Sequence, residues 1–205
     1  MEGLKAKHFK EMSGYRLTVF MEGTKWQCFK ANVKRRFSIL RGKREMHKKY
    51  TFQALEGTHI FPFHREGEPN DHEAAKSKTY FYVHHVSEDL CEGIAGIAFR
   101  SWQIVESGKL PNIGRALKDY RRDPKYLPTD SERALRTYME NSYMSDVNQV
   151  GRLSRPRRFY FGYPVSNIYE KQVASFVFGG DSQPPEEVKE AVKRFCKTEL
   201  KLLLS

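Results

Sequence analysis

The sequence is poor in cysteine and has no long hydrophobic run. Its 205 residues include three cysteines, Cys28, Cys91 and Cys196, none of which forms a CxxC pair, so neither a disulfide framework nor a zinc knuckle is expected. No apolar segment approaches the roughly 20 residues that a membrane-spanning helix needs. Residues 1–12 are charged and lack the apolar centre of a signal peptide. We therefore expect a soluble, cytoplasmic protein with reduced thiols.

Signatures of several enzyme classes are missing as well. The sequence contains no GxSxG elbow, no Walker A loop, no GxGxxG after a strand and no HExxH zinc motif. The adjacent His84 and His85 would point to opposite faces of a strand and so could not easily share a metal ion. The other grouped histidines are His59, His64 and His72. We expect neither a metal site nor enzymatic activity.

Positive charge is abundant and grouped. The chain has 36 Lys and Arg against 25 Asp and Glu, a formal net charge of +11. The basic clusters lie at residues 34–36, 41–44, 48–49, 121–122 and 152–158. Such clusters attract nucleic acid, a nucleotide-like ligand or an anionic membrane surface, and aromatic residues such as Trp26, Tyr50 and Tyr160 suit stacking on bases. A solvated basic face is an equally good interpretation. A basic module that binds nucleic acid or protein therefore stays open as an alternative function.

The order of elements predicts an α+β fold in which helices cover an antiparallel sheet. Alternating patterns predict strands, including a final hairpin, over residues 15–23, 58–65, 79–86, 104–105, 158–165 and 173–178. Pro62 suggests an edge or a bulge in the second strand. Helical patterns cover residues 1–12, 89–102, 129–143 and 184–204. The last helix carries an apolar stripe of Val188, Ala191, Val192, Phe195, Leu202 and Leu203.

The stretch 92–105, EGIAGIAFRSWQIV, is the most informative segment. Its small residues let a short helix lie with its backbone close to another element; they are Gly93, Ala95, Gly96 and Ala98. Phe99 and Trp102, one helical turn apart, place two large rings on one face, and Asp89 and Glu92 form a plausible capping pair. Such a helix is shaped to close over a sheet or a pocket.

Together these features resemble a GAF domain, a ligand-sensing fold related to PAS. The resemblance covers about residues 15–205 and rests on the stretch 92–105, the segment 143–147, the final hairpin and the helix that starts near Pro184. In those terms the chain is a single GAF-like domain, residues 1–205, whose N- and C-terminal helices pack together. Residues 25–57 form a basic insertion and residues 112–142 a helical insertion. The signature of the cyclic-nucleotide-binding members is absent.

The resemblance implies a pocket between the sheet and the helices that follow the glycine-containing segment. The residues expected to line it are Phe99, Arg100, Trp102, Tyr138, Asn141, Tyr143, Asp146, Phe161 and Tyr163. Arg100 would bind a carboxylate or a phosphate through two parallel hydrogen bonds. In the alternative interpretation the aromatic residues fill an ordinary core and Arg100 faces water.

The expected function is a sensory or regulatory domain that binds a small ligand, including an anionic or nucleotide-like one, and signals to an effector or partner. The terminal helices, 1–12 and 184–204, would pair in a homodimer. One enzymatic branch of this fold, the free methionine-R-sulfoxide reductases, brings several cysteines together near the pocket. Here no cysteine lies between Cys91 and Cys196, where that thiol chemistry would need its nucleophile and partner. The identity of the ligand, of any cofactor and of the effector stays open.

Overall fold

A computed structural model describes residues 15–40, 57–66, 80–151, 153 and 156–205. The strands are β1 (Arg16–Glu22), β2 (Gly57–Glu66), β3 (Phe81–His84), β4 (Val105–Glu106), β5 (Phe159–Ser166) and β6 (Gln172–Gly180). The helices are α1 (Lys25–Leu40), α2 (Gly93–Ser101), α3 (Gly114–Arg122), α4 (Thr129–Asn141), α5 (Val147–Gly151) and α6 (Glu186–Phe195). A 3₁₀ turn, Glu88–Leu90, precedes α2, and a π-helical turn, Cys196–Leu200, joins α6 to the short helix α7 (Lys201–Leu203). The predicted helix 1–12 lies outside the described residues, as does most of the second half of the basic segment 25–57.

The six strands form one antiparallel sheet in the order β3-β2-β1-β6-β5-β4. An α+β fold with helices on an antiparallel sheet is thus confirmed. The predicted hairpin is the pair β5 and β6. Pro62 lies at a bulge, because Val19 pairs with His64 while the next residue, Phe20, pairs with Pro62. The skipped residue, Phe63, is exposed.

Helices pack on both faces of the sheet. Leu17 and Val19 of β1 and Phe176 of β6 lie in a core with α6. Phe20 and Val177, on the alternate positions of the same strands, lie in a second core with α2, α3 and α4. Because successive side chains of a strand point to opposite faces, a shift of one residue decides which helices a side chain meets.

Helix α2 lies very close to the sheet, as its small residues predict. A Cβ atom on Gly96 would come within 2.9 Å of the carbonyl oxygen of Tyr82 in β3. A Cβ atom on Gly162 of β5 would come within 2.8 Å of the Ile94 side chain. The glycines therefore permit a backbone approach that any larger residue would prevent.

The two ends of α2 differ from the prediction. The helix begins at Gly93 rather than near residue 89, and Glu92, at its N-cap position, makes no side-chain capping bond. The helix ends at Ser101, and Trp102 adopts a left-handed conformation with φ of 60° and is exposed. The prediction that the rings of Phe99 and Trp102 share a helical face is therefore wrong, because the helix stops one residue before Trp102.

The C-terminal stripe also changes phase. Val188, Val192 and Phe195 are buried as predicted, but Leu202 and Leu203 are exposed and Leu200 is fully buried in their place. The π turn has wider hydrogen-bonded turns than an α-helix, so the residues that follow it are rotated around the helix axis. After Cys196 the side chains that face the sheet therefore come later in the sequence than α-helical spacing predicts.

Candidate ligand-binding site

A small cavity with an interior volume of about 50 Å³ lies between the sheet and the start of α2, and its mouth opens to solvent. Its walls come from β1, β3, β5, β6, α2 and the segments that follow α4 and α5. The lining residues are Arg16, Thr18, Phe20, Phe81, Ile94, Ala95, Ser142, Met144, Leu153, Arg157, Tyr160, Val177 and Gly179.

The cavity is cationic at one end and apolar at the other. Arg16, Thr18 and Phe20 alternate along one face of β1, so the backbone covers roughly 13 Å between the first and the last of them. Arg16 pairs with Gly179 across the sheet, and Arg157 lies against the same glycine. None of the lining residues that the structure describes is acidic. The geometry therefore favours a ligand with an anionic group and an apolar body.

Tyrosine hydroxyls hold the cationic end in place. The Arg157 side chain is only 4% exposed, and its Nη1 lies 3.2 Å from Oδ2 of Asp181. The hydroxyl oxygen of Tyr160 accepts hydrogen bonds from the backbone N–H of Arg157, at 3.0 Å, and from the hydroxyl of Tyr138, at 3.1 Å. Burial raises the pKa of both tyrosines, so both hydroxyls stay protonated at neutral pH.

A buried carboxylate fixes the start of α2 above the cavity. Glu92 is fully buried and accepts hydrogen bonds from the hydroxyl of Ser145, at 2.6 Å, and from the side-chain amide of Gln149, at 2.5 Å. It also pairs with the backbone of Tyr82: its N–H donates to the Tyr82 carbonyl at 2.8 Å, and its Oε2 accepts from the Tyr82 N–H at 3.3 Å. These bonds tie α2 to strand β3 and to the segment around α5.

The nine residues predicted to line the pocket are not among the lining residues of this cavity. Phe161 and Tyr163 point to the opposite face of the sheet, where their rings stack on Phe178 at 5.0 and 6.3 Å. The Tyr163 hydroxyl donates to the carbonyl of Lys189 in α6. Their strand neighbour Tyr160 lines the cavity, because side chains alternate along β5.

The other predicted residues pack behind the residues that line the cavity, or lie at the protein surface. Tyr138 is buried behind Tyr160, and Phe99 is half-buried against the core of α3 and α4. Arg100 is half-buried, and its Nε has no hydrogen-bond partner among the described residues.

Two more of the predicted residues, Tyr143 and Asp146, make backbone hydrogen bonds. Tyr143 is exposed with φ of 57°, and its carbonyl accepts from the N–H of Gly93. The carbonyl of the buried Asp146 accepts from the N–H of Gln149. Asn141 and Trp102 are exposed.

Two of the three cysteines, Cys91 and Cys196, are buried. Each of the three carries a free thiol. Burial raises the pKa of the Cys91 thiol to about 11 and raises that of Cys196 further, so neither forms a reactive thiolate at neutral pH. Within the described ranges no three His, Cys, Asp or Glu side chains are grouped so that they could hold a metal ion.

Comparison with known proteins gives no relative: no protein-family model, no curated protein and no solved structure matches the chain. None of the described helices has both the length and the apolar character that crossing a membrane requires. The site therefore has to be interpreted from the residues of this chain.

Proposed function

We propose that this chain is a GAF-like sensory domain that binds a small anionic ligand in the cavity beneath α2. The observation that carries the proposal is the asymmetry of the cavity. Arg16 and Arg157 lie at one end, Phe20 and Phe81 line the other, and no acidic residue is found among its described lining residues. A ligand with a carboxylate or phosphate would pair with Arg16, and with Arg157 beside its ion pair with Asp181, and bury its apolar part.

A contact between β4 and the C-terminal helix would supply a route for the signal. Strand β4 follows α2 directly, and Glu106 of β4 lies 3.3 Å from Nζ of Lys189 in α6. The same ammonium lies 4.5 Å from the centre of the Phe161 ring. A ligand that draws α2 toward the sheet would act on α6 through this link, to the extent that it binds one arrangement better than the other.

The first experiment is a thermal-shift screen of the purified protein against nucleotides, organic phosphates and carboxylates. A ligand at 100 times its Kd stabilises the folded state by about 2.7 kcal/mol, which raises the melting temperature by about 5–10 °C at roughly 2–4 °C per kcal/mol. If no small anion responds while DNA or RNA binds with a steep salt dependence, the alternative of a basic nucleic-acid-binding module is favoured.

Variants then localise the binding. Arg16→Met keeps an unbranched, flexible side chain but removes its charge, so the ligand-induced shift is expected to fall. Arg115→Met, at an exposed position on α3, is the matched control. Ala95→Leu fills the cavity without changing any charge and should also reduce binding. Arg100→Ala tests the residue that the sequence suggests. A shift that survives Arg16→Met and Ala95→Leu would exclude this cavity as the site.

A further inference from the structure

Helix α1 exposes an apolar stripe on the face directed away from the sheet. Its inner face is marked by the buried Ala31 and by Cys28, whose Sγ lies within hydrogen-bonding distance of groups on β2. On the outer face Trp26 is 61% exposed, Phe29 is 57% exposed and Val33 is also exposed. These three positions follow helical spacing. In the sequence, apolar residues recur at positions 37 and 40.

The start of this helix is fixed by a capping box. The N–H of Gln27 donates to Oγ1 of Thr24 at 3.3 Å, and the N–H of Thr24 donates to Oε1 of Gln27 at 2.8 Å. This reciprocal pair satisfies two N–H groups at the helix terminus. The exposed stripe is therefore held in a defined direction from its first turn.

Positive charge is concentrated on and immediately after α1. The helix has five Lys and Arg residues and no acidic residue. Over residues 25–49 there are ten Lys and Arg against one Glu, a formal charge of +9, compared with +11 for the whole chain. Lys25 and Lys30 are exposed on the first two turns of α1, and an apolar stripe on so basic a segment fits an anionic partner that also offers an apolar phase.

The arrangement of the rings favours a lipid bilayer over nucleic acid. Trp26 and Phe29 stack on each other, with ring centres 5.6 Å apart and planes 10° apart. The ammonium of Lys30 lies over the Trp26 ring, 4.8 Å from its centre. Base stacking requires an open ring face, whereas insertion at a membrane interface uses ring edges and aliphatic side chains such as Val33.

We propose that the exposed face of α1 docks on the surface of an anionic lipid bilayer. Trp26 and Phe29 enter the interface between headgroups and acyl chains, and the exposed Lys25 and Lys30 lie near the lipid phosphates and carboxylates. This docking surface is independent of the cavity and of the ligand proposed for it.

The test uses the fluorescence of Trp26. The chain has two tryptophans, so Trp102→Phe leaves Trp26 as the only one. Phosphatidylcholine vesicles that contain phosphatidylserine should shift its emission to shorter wavelength and sediment the protein, and vesicles of phosphatidylcholine alone should do neither. Far-UV circular dichroism checks that the variant is folded.

Variants with matched controls separate insertion from charge. The double variant Trp26→Ala with Phe29→Ala should lose sedimentation with anionic vesicles, whereas Tyr126→Ala, at another exposed aromatic, should keep it. Lys30→Gln should weaken binding about fivefold, as expected for one cation near an anionic surface, whereas Lys118→Gln on α3 should not. Three results overturn the proposal: no emission shift, equal losses in the control variants, or quenching of Trp26 by single-stranded RNA with no response to vesicles.

Discussion

Replacement of Glu92 by alanine is expected to lower the free energy of unfolding by about 4 kcal/mol. Alanine removes the acceptor of three buried hydrogen bonds, from Ser145, Gln149 and the N–H of Tyr82. The Ser145 hydroxyl can turn to Oε1 of Gln149, 3.3 Å away, but the other two donors lose their acceptor. A buried donor that loses its partner costs about 1–3 kcal/mol, and two such losses give the expected value.

Replacement of Glu92 by glutamine is expected to cost less than about 1.5 kcal/mol. The amide oxygen can take the position of Oε2, which faces both Tyr82 and Gln149, and the amide NH₂ can donate to the Ser145 hydroxyl, which is both donor and acceptor. Urea denaturation with an unchanged m value measures both variants. Glu88→Ala, at an exposed position in the preceding 3₁₀ turn, is the control and should stay within about 0.5 kcal/mol.

Equal losses of stability for glutamine and alanine would contradict this prediction. That result would mean that the negative charge of Glu92, rather than its set of hydrogen bonds, holds α2 in place. Losses below about 1 kcal/mol in both variants would also contradict the prediction, because the buried network would then contribute no more than a typical single hydrogen bond.

Two further predictions concern the C-terminal helix and a buried thiol. Leu200→Ala should cost about 2–5 kcal/mol, because the side chain is fully buried, whereas Leu202→Ala should stay within about 0.5 kcal/mol; equal urea midpoints would contradict the shifted helix face. Burial raises the pKa of Cys91 from an ordinary value of 9.0 to about 11, which corresponds to about 3 kcal/mol. The free energy of unfolding is therefore unaffected by Cys91 below pH 9. It falls by up to this amount as the pH rises through 11, because the thiol ionises in the unfolded chain before it ionises in the folded protein. The urea midpoint of Cys91→Ala should therefore fall less steeply than that of the unaltered protein between pH 8.5 and 10.5, and parallel curves would contradict this assignment.

Local patterns in the sequence predict the strands well. Alternation of apolar residues identifies β1 and the hairpin of β5 and β6, and Pro62 signals the bulge in β2. The small residues of α2 predict its close approach to the sheet, since Gly96 leaves room only for a hydrogen atom next to the Tyr82 carbonyl. These features depend on neighbours in the sequence or on side-chain size alone, so they can be deduced without the fold.

The walls of the cavity depend on which face of the sheet each helix covers. Both faces of β5 are rich in aromatic residues, so the sequence favours Phe161 and Tyr163 as strongly as Tyr160. Only the packing of α2 on one face and α6 on the other distinguishes these residues.

The sequence also contains a signal for helix α1. Its capping box, Thr24 and Gln27, is visible in the sequence as T-x-x-Q and would have identified the start of the helix.

The net charge of the chain counts the arginines of the cavity together with the cations of α1. The two groups differ in burial, and this difference predicts different responses to salt. Arg157 is almost fully buried, and the medium around buried charges screens them much less than bulk salt water does. Lys30 is exposed, and attraction between exposed charges decays within about 8 Å at physiological ionic strength. Raising the salt concentration should therefore release the protein from anionic vesicles while a cavity ligand stays bound. If both interactions weaken in parallel, the anion responsible for the thermal shift binds the exposed cations, and the cavity is not its site.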